Sequence, residues 1–255
     1  MALSALSYAG YSMFAEPEDA EATQSLLKLL PALILGYSTF INGAIAILFK
    51  LEWGMGIIGK DKITGQIPLW SYILFFPFHV PTYLYTHIHT RMSTHKVTNA
   101  KTNQTEHILV PVASEVQPGW WVGGCYGHEL NKDHWGGVID LTVEFPEACR
   151  DLTKYYLSAP TWDGVPASPA DLEHAANFAV QARTQGDVMV HCAHGRGRST
   201  TVMCACLVKA GLYANWEEAF DKGIKPHRSV CKLNVRMREN LTLWQAEYVD
   251  SKKGK

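Results

Sequence analysis

Short apolar runs alternate with helical segments through the second half of the chain, from about Thr105 onward. Helical segments open at Ser168, which Pro169 follows, and at Asn215, residue types that favour a helix N-terminus. Alternating strands and helices predict an α/β domain with a central, mostly parallel sheet flanked by helices. The runs expected as strands are HILVPVASEV, WWVGGCY, GGVIDLTVEF, the start of KYYLSAPTWDG, and DVMVHC.

The first ninety residues have a different pattern, in which a polar connection at residues 54–65 joins two long uncharged runs. The first run, residues 29–49, holds 21 residues without a charge between Lys28 and Lys50. As a helix it is roughly 30 Å long, close to the thickness of a bilayer core. We expect it to span a membrane, since no neighbouring helices exist to bury it; a buried core helix is the alternative.

The second run, residues 67–85, is strongly aromatic and contains Pro68, Pro77 and Pro81. Prolines break a soluble helix but are better tolerated in membrane helices. The run could therefore span, dip into the membrane and return, or lie at the interface, where Trp and Tyr are favoured. If both runs span, the N-terminus and the α/β domain lie on the same side of the membrane.

These patterns divide the chain into four parts. We expect a disordered acidic tail over 1–25, a membrane region with one or two spans over 26–90, a linker over 91–107 and the α/β domain over 108–250. His87, His89 and His95 lack an accompanying carboxylate or Cys, so we interpret them as polar residues at the membrane surface rather than as metal ligands.

Charge and cysteine content exclude several classes of partner. The net charge of −1 gives no general attraction to nucleic acid, so no nucleic-acid partner is expected. The six cysteines form no CxxC pair and no zinc-type spacing. Neither a metal nor another cofactor is therefore predicted.

The strongest chemical signal is the sequence VHCAHGRGRSTT at residues 190–201. It reads as the end of an apolar strand, a tight loop and the N-terminus of a helix, an arrangement whose N–H groups and dipole bind anions. Cys192 at the start of the loop should have a lowered pKa and ionise readily. Arg198 at its end can offer a planar fork to two phosphate oxygens. Gly195 and Gly197 let the backbone close around a ligand.

The pattern His-Cys-x-x-Gly-x-x-Arg-Ser in this context resembles the signature loop of the cysteine-dependent protein tyrosine phosphatases, and the compact layout resembles their dual-specificity branch. The resemblance covers about residues 110–250. It implies a tyrosine-phosphatase-like fold and a phosphocysteine intermediate formed without metal, with Cys192 as nucleophile and Arg198 as phosphate clamp. It also gives Ser199 the role of stabilising the thiolate as the intermediate breaks down. A rhodanese-like sulfur-transfer loop is a weaker alternative, because the Arg-Ser ending argues against it.

Family members also carry an Asp general acid on a mobile loop about thirty residues before the Cys. Here the segment PTWDGVPAS supplies Asp163, 29 residues upstream of Cys192. Its flanking Pro and Gly residues suit a loop that closes over substrate. Asp140, inside an apolar strand, and Asp171, in a helix first turn, are poorer candidates.

The substrate is left open between a phosphoprotein and a phospholipid headgroup. Arg196, a second cation inside the loop, is a feature of relatives that act on inositol phospholipids or on phosphatidylglycerophosphate, although it could equally face solvent. A basic run near the C-terminus could contact anionic headgroups or form a solvated face; it comprises Lys222, Lys225, His227, Arg228, Lys232, Arg236 and Arg238. The substrate-binding residues expected in the loop are Ala193, His194, Gly195, Arg196, Gly197 and Arg198.

The sequence therefore favours a membrane-tethered phosphatase of the dual-specificity type. Its catalytic domain should face the cytosol or another reducing compartment, because Cys192 has to stay a thiolate. A lipid phosphatase is the main alternative. A catalytically idle phosphate-binding adaptor at a membrane is a remote one, since it predicts a damaged site and Cys192, Arg198, Ser199 and Asp163 are all present.

Overall fold

A computed structural model describes residues 7–8, 22–98 and 105–251. The chain forms two compact units. The first unit comprises Met1–Gly54 and Leu69–Tyr83, and the second comprises Met55–Pro68 and Leu84–Lys255. Most of the expected disordered tail, residues 1–6 and 9–21, lies outside the described residues.

The second unit contains the strands β3 (Ala113–Gln117), β4 (Trp120–Gly123), β5 (Gly137–Thr142), β6 (Tyr156–Thr161) and β7 (Val188–His191). They form one five-stranded sheet in the order β3-β4-β7-β5-β6. All neighbouring strands are parallel except β3, which pairs with β4 in the antiparallel sense at one edge. The predicted α/β class with a mostly parallel sheet is confirmed.

Helices follow the strands as the sequence predicted. Ser168 caps α4 (Pro169–Arg183) by accepting a hydrogen bond from the Asp171 N–H, and Asn215 caps α6 (Trp216–Glu218) by accepting one from the Glu218 N–H. The main core lies between the sheet and these helices, where Val190 and Ile139 meet Met203. The helices are α4 (Pro169–Arg183), α5 (Arg198–Lys209), α6 (Trp216–Glu218), which continues as the π-helical turn Ala219–Ile224, and α7 (Val235–Trp244), which continues over Gln245–Asp250.

The first unit contains α1 (Ala22–Leu51), α2 (Leu69–Leu74) and the beginning of α3 (Phe76–Met92). Within the described residues, α1 is the one helix long and apolar enough to cross a membrane, over Leu29–Leu51. Residues 67–85, which could have formed a second span, do not form one continuous helix. The helix is interrupted at Phe75, between α2 and α3.

Two expected boundaries differ from the structure. The expected linker 91–107 overlaps the antiparallel pair β1 (Thr94–Thr98) and β2 (Thr105–Leu109), in which Thr, Val97 and Ile108 favour strands. The polar connection belongs largely to the second unit rather than to a membrane region. A long-range bond shows why: the Glu147 N–H donates to the Gly65 carbonyl at 2.9 Å.

Candidate active site

The loop from Cys192 to Arg198 joins the carboxyl end of β7 to the N-terminus of α5. Gly195 has a φ of +66°, and a Cβ there would lie 2.4 Å from the carbonyl carbon of Gly123. Only glycine fits this tight passage beside the neighbouring strand. The predicted strand-loop-helix arrangement is therefore present. It lies at the carboxyl end of the parallel strands, where α/β folds bind ligands.

The carbonyl groups of this loop point outward and are hydrogen-bonded. On the opposite side of the loop, the N–H groups of Arg196 and Ser199 donate to the Cys192 sulfur, an arrangement that forms an anion cradle. Arg228, a buried residue, donates to the carbonyls of His194 and Gly195 at 3.2 and 2.8 Å. The other carbonyl partners are the Cys125 N–H for Ala193, the Lys232 N–H and Thr200 hydroxyl for Arg196, and the Thr201 N–H and hydroxyl for Gly197.

Cys192 lies at the base of the cradle with 3% of its surface exposed. Its Sγ is 3.4 Å from the Ser199 hydroxyl. Burial raises the pKa of the thiol, but the charge of Arg198 and hydrogen bonds from Ser199 and the Arg196 N–H outweigh it, so the pKa falls below its ordinary value. Ionisation makes the sulfur a nucleophile.

Arg198 is almost fully buried beside the thiolate and is fixed by acceptors from two strands and a loop. Its guanidinium donates to the Glu144 carboxylate at 2.5 and 3.3 Å and to the carbonyls of Leu141 and Thr161 at 3.0 and 2.6 Å. Burial lowers its pKa, but the charges of Glu144, Asp163 and Cys192 raise it overall. Its buried Nε has no hydrogen-bond partner in the described part of the chain. This donor is available to an anion in the cradle.

Asp163 occupies the loop after β6, and its Oδ1 is 3.4 Å from an Arg198 guanidinium nitrogen. Its side chain is 71% exposed. The preceding Trp162 is fully buried and anchors the loop. Asn234, the N-cap of α7, donates to the carbonyl of Gly164 at 3.0 Å. The loop is thus anchored on both sides of a carboxyl group that is itself exposed.

The side chains of His194 and Arg196, two of the loop residues predicted to bind substrate, lie against the C-terminal part of α3. The His194 ring packs edge-on against His89, with centroids 4.5 Å apart, and lies 5.7 Å from the Tyr85 ring. The Arg196 guanidinium donates to the Ser93 hydroxyl. Burial, with a further contribution from His89, lowers the pKa of His194 to about 4, so this ring is neutral at pH 7.

A buried group of charges lies behind Cys192 and was not predicted as a site. The Nε2 of His191 bonds to the Glu147 carboxylate and is 3.8 Å from Asp140, which pairs with Lys60. Ligand atoms of Asp140, Glu147 and His191 lie within 4.8 Å of one another, a spacing that could hold a metal ion. The Lys60 ammonium already supplies a cation to Asp140, so we interpret the group as structural.

Sequence reasoning also missed three residues that position the loops. Glu144 could have been suspected because it closely follows β5 on the carboxyl side, where ligands bind in such sheets. Asn234 and Arg228 carried no such signal. The interpretation of the basic run as a solvated or lipid-facing surface is wrong for Arg228, which is 2% exposed.

No protein-family model matches this chain, and no curated protein matches it. Among solved structures, the chain is similar to human DUSP28 at 20% identity, with 53% of this chain and 94% of that chain covered and a TM-score of 0.43. It is similar to PTPMT1 in complex with PI(5)P at 20% identity, with 57% and 100% covered and a TM-score of 0.48. Tk-PTP in the active form is 21% identical, with 54% and 98% covered and a TM-score of 0.47. The structures to which this chain is similar are thus those of cysteine-dependent phosphatases.

Proposed function

We propose that this chain is a membrane-tethered phosphatase of the dual-specificity type that hydrolyses phosphate monoesters through a phosphocysteine intermediate. The observation that carries the proposal is the juxtaposition at one loop of a buried, acidified thiol and a buried guanidinium. Cys192 supplies the electron pair, and the unpartnered Nε of Arg198 supplies a directed donor for the phosphoryl oxygens.

The reaction has two steps, each with a role for a positioned residue. The Cys192 thiolate attacks phosphorus while the bond from phosphorus to the leaving oxygen breaks, and Asp163 donates a proton to that oxygen. A water molecule then attacks phosphorus, Asp163 accepts its proton, and the bond between sulfur and phosphorus breaks. The hydroxyl of Ser199, 3.4 Å from Sγ, stabilises the thiolate that leaves.

Trapping the intermediate tests the proposal directly. Cys192→Ser should abolish turnover and keep phosphate binding, because an alcohol is far less ionised than this thiol at neutral pH. Asp163→Asn should lower kcat by roughly 10²–10⁴ for an alkyl phosphate, and by much less for an aryl phosphate whose leaving group needs no proton. Mass spectrometry of quenched enzyme should show one phosphoryl group on Cys192. Turnover by Cys192→Ser within tenfold of wild type would contradict the assignment.

The membrane tether is assigned to α1. Only 28% of the apolar stretch of this helix is buried, so most of its apolar surface is uncovered, unlike that of a core helix. Full-length protein should remain in the membrane fraction after an alkaline carbonate wash. Release by carbonate would contradict the tether and leave the catalytic proposal standing. The catalytic unit should face the cytosol or another reducing space, because oxidation of Cys192 would end activity.

A phosphoprotein is the substrate that we propose first, with a phosphoinositide or phosphatidylglycerophosphate as the alternative. Arg196, one of the two features that favoured a lipid, has its guanidinium bound to Ser93. The proposed tether, in contrast, favours a substrate that is itself in the membrane. Measuring kcat/KM on phosphopeptides, phosphoinositides and phosphatidylglycerophosphate with the same preparation decides between them. No turnover of any of these by intact protein would favour the phosphate-binding adaptor.

A further inference from the structure

Residues 69–83 leave the second unit and return to it. The chain before them is fixed there: Lys60 donates to the Thr142 carbonyl at 3.0 Å, and the side chain of Gln66 donates to the Glu147 carbonyl at 3.3 Å. The chain after them is fixed there as well, because His87 hydrogen-bonds to Tyr126 at 3.3 Å. Both ends of the 69–83 segment therefore belong to the same folded body.

The segment is too short and too broken to cross a bilayer. Fifteen residues of continuous helix would measure about 22 Å, against a hydrocarbon thickness of about 30 Å. The segment is not continuous, since the six-residue helix α2 ends at Leu74 and α3 begins at Phe76. A segment of this kind can enter an apolar phase and return on the same side.

The first unit exposes large apolar side chains, while polar side chains are buried beside its apolar core residues Ile41, Ile45, Phe75 and Phe78. Leu69, Ile73 and Val80 are 74%, 69% and 61% exposed. Ser71 and His79 are buried and hydrogen-bonded to each other at 3.2 Å. Apolar side chains outside and paired polar groups inside are what a lipid environment requires.

The helix α1 also exposes large apolar side chains while burying polar ones. Phe40 and Ile47 are 70% and 61% exposed, whereas Ser38 and Asn42 are buried. The hydroxyl of Ser38 donates to the Ile34 carbonyl at 2.7 Å, one turn earlier in the same helix. The two parts of the first unit therefore present one kind of outer surface.

The backbone groups freed by the helix irregularities also have internal partners. Pro81 has no N–H, so the Pro77 carbonyl four residues earlier loses its helical donor. The side chain of Asn42 donates to that carbonyl at 3.2 Å. The hydroxyl of Tyr37 donates to the Leu74 carbonyl at the end of α2. Water would satisfy such carbonyls on a soluble surface, whereas in hydrocarbon the protein has to do so.

We infer that residues 69–83 form a re-entrant hairpin that inserts into a bilayer and returns on the same face, and that α1 crosses that bilayer. The N-terminus and the second unit then lie on opposite faces, which replaces the same-side arrangement expected if both apolar runs span. The inference rests on the proposed membrane tether. The occupant of the exposed apolar surface is lipid acyl chain, not a second copy of this protein.

Thiol labelling of the full-length protein in sealed vesicles tests the topology. Three variants in a Cys192→Ser background would be treated with a membrane-impermeant maleimide: Ser4→Cys, Lys62→Cys and Leu212→Cys. The background protein without these substitutions gives the signal of the native thiols. We expect Lys62→Cys and Leu212→Cys to be labelled from the same face, and Ser4→Cys from the other. Labelling of Lys62→Cys and Leu212→Cys from opposite faces would show that residues 69–83 cross, and labelling of all three from one face would show that α1 does not.

A fluorophore at position 73 tests the occupant. Ile73→Cys carrying an environment-sensitive dye should be quenched by brominated acyl chains, and the matched control Leu243→Cys on α7, 58% exposed in the native chain, should not. If the dye at position 73 reports an apolar environment only at high protein density, and brominated acyl chains do not quench it, the surface is covered by a second copy. That result would overturn the proposal. Neither experiment needs turnover, and carbonate extraction separates failure of the tether from failure of the topology.

Discussion

Lys60 places its ammonium group against the buried carboxylate of Asp140, in the strand next to the one that leads to Cys192. The two side chains are 2% and 0% exposed. Asp140 stands opposite His191 in the parallel register of β5 and β7. The segment between the two apolar runs is therefore linked, through one ion pair, to the residue that precedes the nucleophile.

Removing the Lys60 charge should leave Asp140 buried without its main cation. Breaking a buried ion pair from one side costs about 3–5 kcal/mol, so Lys60→Met should lower the free energy of unfolding by this amount. Lys62→Met, two residues along the same segment and exposed, is the matched control and should change it by less than about 0.5 kcal/mol. Urea unfolding of both variants in detergent measures the difference. Equal effects would show that the pair contributes nothing specific.

The His191 imidazole should make stability depend on pH. Burial lowers its pKa, but the carboxylates of Glu147 and Asp140 raise it to about 9. A folded-state pKa above the unfolded value of about 6.5 stabilises the protein fully below pH 6.5, and this contribution is lost as the pH rises towards 9. The lowered pKa of Cys192 acts in the opposite direction in this range, so the measurement belongs in the Cys192→Ser background.

In that background we expect the midpoint of unfolding to decrease as the pH is raised from 6.5 to 9. Glu147→Gln removes the carboxylate that contributes most to raising the His191 pKa. The variant should therefore show a weaker dependence of the unfolding midpoint on pH over the same range. A wild-type-like slope in Glu147→Gln would mean that another group titrates there.

The sequence predicted the sheet, the helix caps and the loop because these depend on local patterns. Ser168 and Asn215 could be identified as caps from their positions alone, and both accept the expected backbone hydrogen bond. Cys192 and Arg198 share one loop, so their proximity followed from spacing. Asp163 required the family resemblance, because no local rule brings a turn carboxylate to an arginine 35 residues later.

What the sequence did not predict depends on contacts between distant segments. Lys60 and Asp140 are 80 residues apart, and neither shows by itself whether it is buried. Arg228 stood in a run of basic residues whose other members suggested a surface, yet it bonds to carbonyls more than 30 positions away. The second apolar run was ambiguous because hydrophobicity alone cannot show that its flanking residues return to the same unit.

Asn234 should position the general acid through the carbonyl of Gly164. Asn234→Asp keeps an acceptor for the Met237 N–H at the cap of α7 and loses the amide donor to the acid loop. We therefore expect near-normal stability with kcat for an alkyl phosphate reduced about tenfold, the value of roughly one hydrogen bond. An aryl phosphate with a good leaving group should be much less affected, because its reaction needs little proton donation.

The control for this variant is Asn215→Asp, which alters a cap of the same type at α6. It should leave both kcat values unchanged. Equal losses on alkyl and aryl phosphates in Asn234→Asp would point to a general disturbance of the site and contradict a role in holding the acid loop.

Arg228 should keep the loop carbonyls turned outward and so keep the N–H groups available to phosphate. Arg228→Lys preserves a charge but cannot reproduce a planar guanidinium that bonds to His194 and Gly195 together. Losing one or two hydrogen bonds of about 1 kcal/mol each should weaken vanadate binding by about five- to thirtyfold. The Cys192 pKa should rise as well, since its N–H donors become less well placed.

The rate of alkylation by iodoacetate as a function of pH reports the Cys192 pKa. The control Arg236→Lys, a substitution of the same type at an exposed position, should leave this pKa unchanged. A variant with a lower unfolding midpoint but unaltered vanadate affinity and Cys192 pKa would assign Arg228 to stability alone.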